Sequence, residues 1–164
     1  MKYKSVFDII GPIMVGPSSS HTAGAVRIGQ IARRIFGMEP KEINIHFYGS
    51  FAETYKGHAT DIAVIAGLLD FETDDARIQD AILIAKKKGI HIQFFTEEVV
   101  PTHPNTLRIK LKREDETLEL TGVSVGGGAV QITELNGFNL NLSGENPAML
   151  IYHIDAYGVV ASVA

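Results

Sequence analysis

Residues 16–22 read Gly-Pro-Ser-Ser-Ser-His-Thr and stand just before an apolar helical pattern. One serine suffices to cap a helix, so five polar side chains in a row ask for another reason. The first four backbone N–H groups of a helix have no partner inside it, and the helix dipole makes that end attractive to a carboxylate or phosphate. Ser18, Ser19, Ser20 and Thr22 add hydroxyl donors there, and His21 adds a group that titrates near neutral pH. Together they suit a small substrate with one anionic end and one proton to move. A helix cap with surplus serines on a loop explains the same residues without any chemistry.

Three further clusters have the right residue types. Lys56-Gly57-His58-Ala59-Thr60-Asp61 precedes another apolar helix, so that Thr60 or Asp61 can cap it. On its own, His58 reads as a satisfied surface histidine. In Thr102-His103-Pro104-Asn105-Thr106 the proline imposes an extended or turn conformation on His103, and Asn105 offers both a donor and an acceptor. By itself this is a turn before a strand. In Ser124-Val125-Gly126-Gly127-Gly128 the glycines allow close approach of a ligand or another chain, or simply make a turn or bulge. His46, His91 and His153 lie in strand-like contexts and read as structural. There is no GxGxxG, no P-loop and no HExxH, and no metal ligands are assigned in this chain.

The elements that must position these clusters follow from periodicity. A short helix is expected over 4–10. A helix over 21–36 carries Ala25, Ile28, Ala32 and Ile35 at helical spacing and stops at Gly37. Residues 42–48 alternate as a half-buried strand, 60–70 are apolar on nearly every side as in a buried helix, and 75–88 form an amphipathic helix ended by Gly89. Strands are expected over 90–96, 105–113, 117–125, 128–135 and 138–143, with Asn136-Gly137 as a hairpin turn. Helices and one strand first, then a run of strands, indicate an α+β domain with helices on a mixed, mostly antiparallel sheet. Residues 144–147 read as a linker, followed by an apolar strand, a turn and the first turns of a helix.

Composition narrows the function. The 164 residues suffice for one domain with a core, and 45% are apolar, but no stretch approaches the roughly 18 uncharged apolar residues of a membrane span. The N-terminal stretch turns polar too soon for a secretory signal, so cytoplasm is the expected compartment and no membrane partner is expected. Net charge is −4 and the one basic patch, Lys86-Lys87-Lys88, sits at a helix end, so nucleic acid is not expected as a partner. The chain has no cysteine, which removes disulfides and thiolate metal sites.

GPSSSHTAG at 16–24, GSFAETYKGHATD at 49–61, HPNT at 103–106 and SVGGG at 124–128 occur in an order that resembles the beta subunit, or beta domain, of the bacterial iron–sulfur L-serine dehydratases. The resemblance covers residues 3 to about 145, giving a beta domain over 1–145. The tail, with Ile154-Asp155-Ala156-Tyr157-Gly158-Val159, resembles the start of an ACT domain, placed at 149–164 as a first strand and helix start. The fold implied is similar to the allosteric substrate-binding domain of some phosphoglycerate dehydrogenases.

That family converts L-serine to pyruvate and ammonia, using a 4Fe-4S cluster as Lewis acid on the substrate hydroxyl. The resemblance implies an alpha subunit as partner, which carries the cluster on its own cysteines, and a beta chain that is inactive alone. It makes His21 and His58 the candidate proton-handling residues. Ser18, Ser19, Ser20, Thr22, Thr60 and Asp61 become candidate substrate-binding residues. His103, Asn105, Gly126, Gly127 and Gly128 become candidates for a regulatory serine site or the subunit contact. A homodimer or an alpha–beta hetero-oligomer is implied. Ala59 departs from the family's usual glycine in GHGTD, a substitution that is strained if the position needs positive φ. Two other readings stay open: a regulatory serine-binding module with no catalytic residue, and a generic carboxylate- or phosphate-binding protein.

Overall fold

The computed structural model describes residues 11–154 and 156–163; the helix expected over 4–10 lies outside them. The elements run α1 (Gly24–Phe36), β1 (Glu42–Tyr48), α2 (Gly49–Thr54), α3 (Thr60–Leu68), α4 (Ala81–Lys87), β2 (His91–Glu97), β3 (Asn105–Arg113), β4 (Glu116–Gly126), β5 (Ala129–Leu135), β6 (Phe138–Leu142) and α5 (Val159–Val163). A π-helical turn, Ser19–Ala23, leads into α1, and a 3-10 turn, Ala76–Asp80, leads into α4.

The strands form one mixed sheet in the order β2-β1-β3-β4-β5-β6. Only β1 and β2 are parallel, which is why three helices lie between them: a parallel pair needs a long crossover. The remaining neighbours are antiparallel. Asn136 and Gly137 both take positive φ, as the tight turn joining β5 to β6 requires. The architecture is the α+β arrangement expected.

Alternation divides the sheet into two faces. Ile43, Ile45 and Phe47 of β1, Leu107, Ile109 and Leu111 of β3, and Leu120 and Ile132 beyond them are essentially inaccessible and form one core with α1 and α3. The other face carries charges that neutralise each other within the sheet. Arg108 pairs with Glu119 and Glu134, Lys110 with Glu119, and Lys112 with Glu42.

Helix α1 turns Ala25, Ile28 and Ala32 into the core as its spacing requires, and Gly37 closes it at φ 74° with its N–H on the Arg33 carbonyl. Helices α1 and α3 cross with almost no gap: a Cβ on Gly67 would lie 2.0 Å from the Val26 carbonyl oxygen. This close crossing fixes the first turns of α1 against the last turn of α3.

Two expectations change. Residues 49–54 form a helix that periodicity does not announce, since six residues give under two turns. Residues 148–154 form no strand; they pair with no other strand among the described residues, and a lone strand leaves its backbone groups unpaired. The helix start that follows is present as α5.

Candidate active site

The four polar strings meet at one end of the sheet, around the entry to α1. Ser18 is the cap: it is extended at φ −144°, ψ 125°, and its hydroxyl accepts the His21 backbone N–H at 3.1 Å. The chain then enters a π-helical turn, a wide geometry found often at functional sites, which holds Ser20 and His21 on the wall of the site. Ser20 Oγ lies 2.9 Å from His21 Nδ1 and 3.3 Å from Ser18 Oγ. Ser19 packs against Gly11.

His21 and His58 stand edge to face with ring centroids 4.7 Å apart. Phe51, fully buried, also packs edge to face with His21, ring centroids 5.0 Å apart. Burial lowers the His21 pKa from its ordinary 6.5, and His58 beside it lowers it further, because a second positive charge in this setting is unfavourable. His21 is therefore neutral at pH 7 and able to accept a proton.

The loop carrying His58 is held from both sides. Thr22 is buried and donates its hydroxyl to the His58 carbonyl at 3.2 Å, so Thr22 clasps the loop. Ala59 sits at φ 54°, in the left-handed region where a glycine is at ease. Thr60 does not cap α3. Its side chain is fully buried, and the first-turn contact comes from Asp61, whose Oδ1 accepts the Ile62 N–H at 2.9 Å. Burial raises the Asp61 pKa, partly offset by that bond and by Lys56.

The remaining strings flank this pair. His103 Nδ1 accepts the Asn105 N–H, and the His103 carbonyl accepts the Thr106 hydroxyl; burial lowers the pKa of His103. The Asn105 side chain donates to the Ser124 carbonyl at 3.4 Å. Gly126, Gly127 and Gly128 all have positive φ and make the turn between β4 and β5, tied to α1 where Arg27 donates to the Gly128 carbonyl at 2.7 Å. Ser124 Oγ lies against Gly24, where an added Cβ would sit 2.2 Å from it.

Among the described residues, the buried side-chain polar atoms with no partner are His58 Nδ1, Thr60 Oγ1 and Ser124 Oγ, all in these strings. Unpaired buried polar atoms are rare in folded proteins, and their concentration here marks this end of the sheet as built for more than packing. The chain has no cysteine, and no group of three or more His, Asp or Glu side chains converges as metal ligands among the described residues. The residues present do not fit an iron–sulfur cluster.

Sequence reasoning missed Ser50, Phe51 and the role of Ser124. Ser50 Oγ is 3.1 Å from His21 Nε2 across 29 residues, a contact that no local pattern encodes. The Gly49-Ser50 pair directly after a strand is the one local signal available.

A family profile described as "Serine dehydratase beta chain" matches residues 5–88. The chain belongs to the serine dehydratase beta-chain family. It is 63% identical over its whole length to the probable L-serine dehydratase beta chain of Bacillus subtilis, covering 74% of that protein. It is 40% identical to the L-serine dehydratase beta chain of Peptoniphilus asaccharolyticus over 98% of its length, covering 73% of that relative. The L-serine dehydratase of Haemophilus influenzae is 40% identical over 77% of this chain, which corresponds to only 33% of that longer protein. The family assignment falls on the strings that build the site: the profile spans both the serine run and the His58 loop. No helix among the described residues is long and apolar enough to cross a membrane.

Proposed function

We propose that this beta chain supplies one wall of the active site of a two-chain L-serine dehydratase. The observation that carries the reading is the His21–His58 pair, at 4.7 Å, beside the hydroxyls at the mouth of α1. L-Serine is lost by elimination: the α-proton and the β-hydroxyl leave as water, the resulting enamine becomes an imine, and hydrolysis returns the water to give pyruvate and ammonia. Neutral His21 takes up the α-proton, and His58 stabilises or relays that proton. Ser18, Ser19, Ser20, Thr60 and Asp61 remain the proposed substrate-side residues, with Ser20 nearest the ring. Thr22 acts by holding the His58 loop.

A 4Fe-4S cluster would be carried by cysteines of the alpha chain and supply Lewis acidity at the substrate hydroxyl. On this reading the beta chain alone is inactive and works in the cytoplasm as part of an alpha–beta complex. The Haemophilus relative, in which the matching stretch is a third of one longer chain, supports a partner of comparable or larger size. Residues 1–145 are read as the beta domain and 149–164 as the start of an ACT domain. A second reading, serine sensing at His103, Asn105 and the Gly126–Gly128 turn, draws on the bond from Asn105 to Ser124 beside α1.

The test is reconstitution. The beta chain in its full-length form is mixed under argon with cluster-loaded alpha chain, and pyruvate formed from L-serine is measured. His21→Ala is expected to assemble normally and to lose at least a hundredfold in turnover. Turnover within a few-fold of wild type would remove the catalytic role and leave the sensing module.

A further inference from the structure

Ser50 is the second residue of α2 and touches two of the four strings at once. Its hydroxyl is hydrogen-bonded to His21 Nε2 at 3.1 Å. Its backbone N–H donates to the Pro104 carbonyl at 2.8 Å, and its own carbonyl accepts the Thr54 hydroxyl at 2.6 Å. Gly49 before it is bridged to Asn105. The backbone of Ser50 is thus bonded on both sides, and its hydroxyl has a defined place.

The other nitrogen of His21 meets Ser20 Oγ at 2.9 Å, so hydroxyls serve both ring nitrogens. The direction of these bonds can be worked out by following the protons. Ser18 Oγ already accepts the His21 backbone N–H. Its own proton is free to go to Ser20 Oγ, 3.3 Å away. The Ser20 proton then goes to His21 Nδ1, which must carry the lone pair. The ring proton is left on Nε2 and is donated to Ser50 Oγ. In the reverse direction Ser18 Oγ would accept from both the backbone and Ser20, and its proton would have neither Ser20 nor His21 to go to. Each direction leaves one terminal hydroxyl proton outside the run, Ser50's in the first and Ser18's in the second, but only the first aligns all four bonds head to tail from the His21 backbone N–H to Ser50 Oγ, and aligned hydrogen bonds strengthen one another.

We infer that Ser50 is a positioning residue that accepts the Nε2 proton of His21, holding the ring in one rotation and one tautomer with its basic nitrogen, Nδ1, on the serine side. The consequence for function rests on the proposed role of His21: proton uptake then runs through the side of the ring that faces Ser20. His58 is the one titratable side chain whose ring meets His21 among the described residues, so it is the group that must be controlled for.

Nitrogen-15 spectra of the side chain of His21 in the beta chain decide the point, read above pH 7 in wild type, Ser50→Ala and Ser50→Thr. Wild type is expected to show a pyridine-type Nδ1 and a protonated Nε2. Ser50→Ala should shift the ring toward a mixture of tautomers, and Ser50→Thr, which keeps the hydroxyl, should restore the wild-type pattern. In the assembled enzyme Ser50→Ala should lower kcat about tenfold with KM little changed, the size expected for one lost hydrogen bond. A protonated Nδ1 in wild type, or an unchanged tautomer in Ser50→Ala, would overturn the inference. These spectra do not depend on catalysis: if His21→Ala retains full turnover, the catalytic reading falls while the tautomer result still judges Ser50.

Discussion

His21 and His58 come from segments 37 positions apart and meet edge to face at 4.7 Å, with the Thr22 hydroxyl donated to the His58 carbonyl beneath them. Two imidazoles this close cannot both carry a charge without a penalty, and after burial this is the second cause that lowers the His21 pKa.

That relationship sets a pH dependence. His21 has a lowered pKa, so its neutral form persists below the ordinary 6.5. In the assembled enzyme kcat/KM should rise with pH along an acidic limb whose apparent pKa lies below 6.5. His58→Gln removes the neighbouring charge and should move that limb upward, though not fully to 6.5, because burial is the larger cause. A limb that stays in place would show that His58 does not act on the titrating group. Stability follows the same sign: a depressed histidine pKa leaves its full contribution above the unfolded value, and the contribution is lost as pH falls through the folded one.

Ala59 predicts a stabilising change. At φ 54° an alanine is strained by about 1 kcal/mol relative to glycine. Ala59→Gly should raise stability by about that amount in denaturant titration, with unchanged assembly. A loss of stability would mean that the Ala59 methyl group is packed better than its backbone is strained.

Gly67 predicts the opposite. A Cβ there would fall 2.0 Å from the Val26 carbonyl oxygen, so Gly67→Ala must push α1 and α3 apart. The expected cost is about 3 kcal/mol, measured by chemical denaturation. Because the same crossing holds the entry of α1, the tautomer signal of His21 should also broaden or shift. Full stability in this variant would contradict the close crossing.

The serine run predicts a division of labour. Ser18→Ala removes the cap and should cost about 1 kcal/mol of stability, while Ser18→Gly should cost only a few tenths. Ser20→Ala leaves the cap intact, so it should preserve stability within about 0.5 kcal/mol. Its effect should appear in turnover of the assembled enzyme. Equal stability losses in both would assign Ser20 to the scaffold.

Most of the strands were legible because alternation is local: residues 42–48 and 105–113 are strands at the bounds read from their sequence. The Asn136-Gly137 turn was legible because only certain residues tolerate two successive positive φ values. Helix α2 was not, since its six residues are too few to show a period, and with it Ser50 and Phe51 were missed.

The sequence by itself determined the kinds of side chain at the site, the helix that begins there, the cap among its serines and the absence of thiolate ligands. These are properties of residue type and short-range spacing. Tertiary structure decided which of the candidates meet. It set His21 against His58 and Ser50, turned Thr22 inward to hold a loop, buried Thr60 and packed Ser19 against Gly11. Those outcomes depend on how closely α1 and α3 cross and on which sheet end the loops share. Both arise from packing between segments distant in sequence, which no local pattern records.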